Sequence, residues 1–405
     1  MTILRTIESG LKEIFAQIDD IALNNQKKVL DAFRSNNVAL RHFAPTTGYG
    51  YDDIGRECLG RVFASALNAE AAIVSPLLVS GTHAISTVLF GLLRPNNIML
   101  SISGAPYDTL NDVIKGKNVG SLDEFGIGYR EVGLTNNGFD KANIETNLTD
   151  NNVKVVYIQR SRGYNWRNAL SVGDIGDIIK FVKSKRKDVI FVVDNCYGEF
   201  VEELEPTAVG ADIIVGSLIK NIGAGIAPTG GYIAGKKCYV DVISYRLTAP
   251  SIGVEVGSYA ADCRPFFEGL FLAPRVTANA LKGAQMFAET FRTFGYDAIP
   301  SKNCAVSDIV CSIKFGDKSK LIDFCRAVQT ASPIDSNLLL EPWDMPGYNE
   351  QVIMASGSFV QGSSIELSAD APIKEPYIAY VQGGLTYEHI FIALTEIISK
   401  LNLTL

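Results

Sequence analysis

Ile7, Leu11, Ile14, Ile18 and Ile21 recur at alternating steps of four and three, which lines one face of an amphipathic helix over residues 5–22. A second helical pattern covers 24–36, so an N-terminal helical arm precedes the first strand. Such an arm suits either docking on its own domain or reaching across to another subunit. From residue 71 the pattern changes. Continuous Val/Ile-rich runs at 71–74, 98–102, 126–132, 153–159, 189–193 and 213–215 alternate with helical stretches at 82–93, 107–114 and 174–186. Uninterrupted apolar runs between helices are the mark of a largely parallel sheet covered on both faces.

Beyond Gly235 the alternation loosens. Residues 245–257 hold Pro250 and several glycines and read as a lid or connection. Pro274 is placed near the first turn of a long helix over 276–294. A strand over 306–315, a helix over 319–328, two strands within 351–367 around Gly357 and Gly362, and a helix over 388–401 complete the chain. The expected fold class is α/β, with a mostly parallel central sheet and a smaller C-terminal α+β domain. The expected divisions are 1–60 for the arm and a subunit-contact loop, 61–250 for the large domain and 251–405 for the small one.

Composition narrows the function classes. The 405 residues carry a net charge of −7 and are 47% hydrophobic, so neither nucleic acid nor an anionic membrane is an expected partner. No window approaches the roughly 18 apolar residues of a membrane span. The seven cysteines are scattered without a C-x-x-C pair, and only three histidines occur. The cysteines read as small buried apolar residues in a reducing, cytoplasmic setting, and no metal site is expected.

Two charges stand out because buried strands rarely carry them: Asp194, which closes the run Val189–Val193, and Lys220, soon after Ile213-Ile214-Val215. A carboxylate that keeps a pyridine nitrogen protonated and a lysine that forms a Schiff base with an aldehyde are the demands of pyridoxal phosphate. The lysine reacts as the neutral amine, so its site is expected to lower its pKa. The turn Ser80-Gly81-Thr82 opens a helix and offers backbone N–H groups and a dipole end to a phosphate, as the Ser217 hydroxyl does from the second strand. Tyr107, just past a strand end, is placed to stack on the ring. Nucleotide motifs fail. Gly223-Ala224-Gly225 lacks the third glycine of a dinucleotide fingerprint, and in Gly230…Gly235-Lys236 the next residue is Lys237 where Ser or Thr is required. No G-x-S-x-G occurs.

The order Ser80-Gly81-Thr82, Tyr107, Val193-Asp194-Asn195-Cys196-Tyr197, Ser217-Leu218-Ile219-Lys220 and Gly230-Gly231-Tyr232-Ile233-Ala234-Gly235 resembles the cystathionine lyase and methionine γ-lyase family of fold-type I (aspartate aminotransferase-like) pyridoxal phosphate enzymes. The stretches TTGYGYDDIGRE, IQRSRGY, DNCYGEFVE and QGSSIELSADAPI resemble its aluminium resistance branch. The resemblance covers nearly the whole chain. It implies that Lys220 is the Schiff-base lysine and the base for the substrate Cα proton. It implies that Asp194 meets the pyridine nitrogen, that Tyr107 stacks on the ring, and that Gly81, Thr82 and Ser217 hold the phosphate. Tyr49 matches a tyrosine that reaches the neighbouring subunit's phosphate and substrate, which implies a homodimer or homotetramer with sites at the subunit interface. Tyr51 stands where the lyases have a phosphate-binding arginine, and Ile219 replaces a hydroxyl residue. Arg160-Ser161-Arg162-Gly163-Tyr164 replaces an Asn-Pro motif. The cation for the substrate carboxylate stays open among Lys374, Arg162 and Arg264. The implied activity is carbon–sulfur lysis of a sulfur amino acid of cystathionine or methionine type, by β- or γ-elimination. Transamination, aldol cleavage and cofactor binding without turnover remain as alternatives.

Overall fold

The computed structural model describes residues 2–302, 304–345 and 348–404. Its N-terminal arm forms α1 (Thr2–Gly10) and α2 (Lys12–Ser35). The break falls at Gly10-Leu11, earlier than the apolar stripe suggests, because glycine is a poor helix former and the stripe itself continues past it. Leu4, Ile7, Leu11, Ile14 and Ile18 are buried in one core with Ala280, Leu281, Ala284 and Phe287 of the same chain, so the arm docks at home. Helix α3 (Ile54–Ala66) starts at Asp53, whose carboxylate accepts from the Gly55 and Arg56 amides.

In chain order there follow β1 (Ala71–Ser75), α4 (Gly81–Leu92), β2 (Ile98–Ser101), α5 (Asp108–Lys115), β3 (Gly128–Glu131), the ribbon β4 (Leu134–Thr135) and β5 (Gly138–Phe139), α6 (Lys141–Leu148), β6 (Val153–Gln159), α7 (Val172–Lys185), β7 (Ile190–Asp194), β8 (Ile213–Ser217), β9 (Gly231–Gly235) and α8 (Lys237–Leu247). Seven of these strands form one sheet in the order β1-β9-β8-β7-β6-β2-β3. The run from β8 to β3 is parallel, and β9 pairs antiparallel with both β8 and β1. Alternate strand residues feed two cores. Val156, Ile158, Phe191, Val193 and Ile214 lie on one face, and Val155, Val192, Ile213 and Val215 on the other. Burial on both faces is why these strands read as unbroken apolar runs.

The C-terminal part comprises α9 (Arg264–Thr293), β10 (Asp297–Ile299), β11 (Val310–Lys314), α10 (Lys318–Thr330), β12 (Val352–Ser356), β13 (Ser368–Pro372), β14 (Ile378–Gln382) and α11 (Tyr387–Lys400). Its strands make an antiparallel sheet in the order β10-β11-β14-β13-β12. The fold is thus mixed α/β with a mostly parallel central sheet and a smaller antiparallel one, as expected. Helix α9 serves both cores, with Phe266, Phe267 and Leu270 in the first and Ala284, Phe287 and Phe291 in the second.

Two expectations need correction. The long helix begins at Arg264, with Pro265 in its first turn, and Pro274 lies inside it. Its first ten residues pack on the large domain's core, so the apolar face seen from residue 276 onward was only the later part. Residues 351–367 hold one strand; the second begins at Ser368, because the Glu366 carboxylate accepts from the Phe359 and Val360 amides and folds the intervening stretch into a loop. Residues 245–257 include the end of α8 and a single 3-10 turn at Gly253–Glu255. Among the described residues no helix is long and apolar enough to cross a membrane, and no group of three or more His, Cys, Asp or Glu is placed to hold a metal ion.

Candidate active site

β7 and β8 lie side by side and parallel, so their C-terminal ends deliver Asp194 and, one turn past Ser217, Lys220 to the same edge of the sheet. The Lys220 Nζ donates to the Tyr197 hydroxyl at 2.9 Å and to Ser364 Oγ, and it sits over the Tyr197 ring, 4.7 Å from its centroid. Tyr197 in turn donates to Ser364 Oγ at 3.0 Å. Tyr197 has a φ of +69°, a left-handed conformation that costs a non-glycine residue about 1 kcal/mol or more and concentrates at functional sites. A buried arginine holds this turn in place. Arg160 Nη1 donates to Asn195 Oδ1 and to the Gly198 carbonyl, both at 2.8 Å, and Nη2 donates to Glu202 at 2.7 Å. Position 198 must be glycine, since a Cβ there would stand 2.5 Å from Arg160 Nη1.

Asp194 is 4% exposed and accepts from the Cys196 amide at 3.1 Å. Among the described residues no lysine or arginine comes within 4.0 Å of it. Burial pushes its carboxyl up to about 6, against the Cys196 amide and the positive charge of Lys220, which pull it down. On the neighbouring strand Tyr157 shares this face, fully buried, with its hydroxyl beside the Asp194 carboxylate. Burial first, and then the Asp194 charge, push that hydroxyl far up, so it stays protonated.

The third part of the site is the N-terminus of α4. Ser80 caps it by accepting from the His83 amide at 3.0 Å, which leaves the Gly81 and Thr82 N–H groups ahead of the first intrahelical bond. A Cβ on Gly81 would lie 3.5 Å from Ser217 Cβ and 3.7 Å from Cys196 Sγ, so the helix end, β8 and the turn after β7 converge. Tyr107 donates to Thr82 Oγ1 at 2.9 Å, and its own amide donates to Gln159 Oε1 at 2.7 Å. Gly81, Thr82, Tyr107, Asp194, Ser217 and Lys220 are therefore gathered at one edge. Tyr49 and Tyr51 are not: they are 70% and 63% exposed, in a turn held by Arg56 Nη1 on the Gly50 carbonyl (2.9 Å) and by the Gly257 amide on the Tyr49 carbonyl (3.0 Å).

A family model described as methionine gamma-lyase matches residues 1–402. The chain belongs to that family. A carbon-sulfur lyase from Clostridium novyi, described as involved in aluminium resistance, is 51% identical over 98% of this chain and 95% of its own, with a TM-score of 0.95. The Bacillus subtilis protein YnbB is 46% identical over 98% of this chain and 94% of its own length. A pyridoxal-5'-phosphate-dependent protein of Escherichia coli, YhfS, shares the fold at a TM-score of 0.64 and 17% identity, covering 94% of this chain and 97% of its own.

Within this family member the lysine departs from expectation. Burial pulls Lys220 down, but the Tyr197 hydroxyl, Cys196 and Asp370 outweigh it, and the net direction is up. The expected lowering assumed burial alone or a nearby positive charge, whereas the neighbours here are hydroxyls, a thiol and carboxylates. Tyr197, Ser364 and Asp370 had no assigned role in the sequence reading. Only the resemblance stretches DNCYGEF and QGSSIELSADAP contain them, and nothing in residue type separates a site tyrosine from a packing one. Of the three cations considered for a carboxylate, Arg264 is tied to Asp262 on the surface and Lys374 is exposed. Arg162 is 1% exposed. Its Nε and Nη2 fork onto Asp308 at 3.2 and 2.9 Å, and Nη1 is buried without a partner.

Proposed function

We propose that this chain is a pyridoxal phosphate-dependent carbon–sulfur lyase that acts by β- or γ-elimination on a sulfur amino acid. The observation that carries the reading is the pairing, on adjacent parallel strands, of a buried carboxylate lacking a cation with a lysine held only by hydroxyl groups. A buried carboxylate without a partner is costly, and a protonated ring nitrogen would supply the missing charge. The free amides at the start of α4 fit the same ligand, a ring with a phosphate arm.

In this reading Asp194 meets the ring nitrogen, Tyr107 covers the ring face, and the Gly81 and Thr82 amides with the Ser217 hydroxyl take the phosphate. Lys220 carries the covalent link. When bound, the pyridinium supplies the electron sink for a carbanion at the substrate Cα. Lys220 Nζ, released when the substrate's own amine takes its place, would accept the Cα proton, and Tyr197 and Ser364, both hydrogen-bonded to it, would orient the amine and offer it a proton path. Arg162 Nη1 is the group we assign to the substrate carboxylate, pinned by Asp308 so that little freedom is lost on binding. The exposed Tyr49–Tyr51 turn, fixed at its base by Arg56, is assigned to the site of a second copy in a homodimer or homotetramer.

The test is release of a thiol and a keto acid from a panel of cysteine and homocysteine thioethers by the cofactor-loaded protein. Product from at least one, abolished in Lys220→Ala, supports the reading. Accumulation of the aminated cofactor without thiol would replace it with transamination.

A further inference from the structure

The buried stripe of α2 has one polar member. It runs Ile14, Ile18, Ala22, Asn25, Val29 and Ala32, at steps of four or three. Asparagine is a poorer helix former than the residues that usually fill such a stripe, and burial strips its amide of water. Position 25 is therefore held by something other than helix packing. Its side chain is 1% exposed and reaches the segment that follows β7. Nδ2 donates to the Phe200 carbonyl at 3.2 Å and to the Glu202 carbonyl at 3.0 Å, while Oδ1 has no partner. Two carbonyl acceptors fix which way the amide points, and the side chain serves purely as a donor.

The segment it meets is the turn that carries Tyr197. Two of its residues are left-handed without being glycine, Tyr197 at a φ of +69° and Phe200 at +59°. Such a backbone persists only where its surroundings hold it. Here buried side chains do so, one backbone group after another. Arg160 Nη1 meets the Gly198 carbonyl, Asn221 Nδ2 donates to the Glu199 carbonyl at 3.2 Å, and Glu205 Oε1 accepts from the Phe200 amide at 2.9 Å. Asn25 completes the set from the arm. Asn221 directly follows Lys220, so the same frame joins the tyrosine to the lysine whose Nζ its hydroxyl meets at 2.9 Å. Beside this contact Asn24 and Lys28 seat the helix on Glu203, at its carboxylate (2.7 Å) and its carbonyl (3.0 Å).

We propose that Asn25 of the N-terminal arm is a positioning residue for the Lys220 site, fixing the turn that sets the Tyr197 hydroxyl against the lysine amine. It touches neither substrate nor cofactor and acts through Phe200 and Tyr197. The arm then shapes the site as well as the core. This rests on the reading of Lys220 as the base of the lyase reaction, and it adds what keeps that lysine's partner in place.

Asn25→Leu restores the apolar stripe and leaves the two carbonyls without their donor. In the holoenzyme it is expected to lower kcat about 10-fold, the scale on which small misplacements slow a reaction, and to leave KM within about two-fold. The acid limb of the activity profile should move to lower pH, as for Tyr197→Phe, because the hydroxyl that raises Lys220 no longer meets it squarely. The lysine-linked cofactor's absorbance, titrated against pH without substrate, should shift in the same sense as in Tyr197→Phe. Added to Tyr197→Phe, Asn25→Leu should change none of these further, since its route to the lysine is already cut. Asn25→Ser, which leaves room instead of adding an apolar branch, carries the same expectations if leucine prevents folding, and Asn25→Gln, which keeps the donor, should recover part of kcat. Equal losses with and without the Tyr197 hydroxyl, or an unchanged kcat and absorbance titration in folded Asn25→Leu protein, would overturn the positioning role and leave the lyase reading in place. A parent protein that releases no thiol, or a Lys220→Ala variant that still does, would overturn both.

Discussion

Asp194→Asn should have opposite effects on folding and on cofactor binding. The folded carboxyl sits at about 6 against 3.8 for a free one, mainly because burial disfavours its charge. At about 1.36 kcal/mol per pKa unit, the ionised group costs the cofactor-free protein roughly 3 kcal/mol. Because the folded pKa is raised, the native state holds this proton more tightly than the unfolded chain. The associated stability is complete below about pH 4 and is lost as pH rises through about 6. Asparagine keeps an oxygen for the Cys196 amide and carries no charge to desolvate. At pH 8 the cofactor-free variant is therefore expected to be more stable than its parent by up to about 3 kcal/mol. With an unfolding entropy near 2.1 cal/mol/K per residue over this length, that is a rise of roughly 3–4 °C in melting temperature. At pH 4 the difference should vanish. Cofactor affinity should move the other way, by ~100-fold or more, since a buried ring cation loses its counter-charge. Melting curves of cofactor-free parent and variant at both pH values, with cofactor titrations beside them, make the test. A variant less stable at pH 8, or one that binds the cofactor as well as its parent, would refute the reasoning.

Tyr197→Phe removes a hydrogen bond that raises Lys220, so the acid limb of the activity profile should move to lower pH while kcat falls by about 10- to 100-fold; an unmoved limb would count against it. Gly198→Ala drives a Cβ onto Arg160 Nη1 and should break two charge-assisted bonds that hold the Tyr197 turn, a loss of about 3 kcal/mol or more read as a lower melting temperature. Asp308→Ala leaves Arg162 buried and unpaired, at a cost of about 3–5 kcal/mol, while Asp308→Asn should recover part of it.

Much of the fold could be read from the sequence because a doubly covered parallel sheet writes itself as long apolar runs. Val153–Ile158 and Ile190–Val193 are buried almost throughout, and no surface requirement blurs them. The same logic exposed Asp194, a charge that such a strand does not tolerate without a reason. The C-terminal part was harder. β13 alternates small residues with Ser368 and Asp370, since only one of its faces packs on helices, and alanines carry little apolar signal. Pro274 misled because a proline inside a helix looks like the start of one. Tyr197, Ser364 and Asp370 meet only through the tertiary fold, from segments more than 140 positions apart in the case of Lys220 and Ser364, and no spacing in the chain announces them.

Borohydride reduction of the cofactor-loaded protein, followed by peptide mapping, locates the covalent attachment of pyridoxal phosphate by mass. The predicted result is a single pyridoxyl adduct on the peptide that contains Lys220, absent when Asp194→Asn protein is treated at the same low cofactor concentration. An adduct on another lysine, or none on protein shown to be folded, would contradict the assignment of Lys220 and Asp194 to one cofactor.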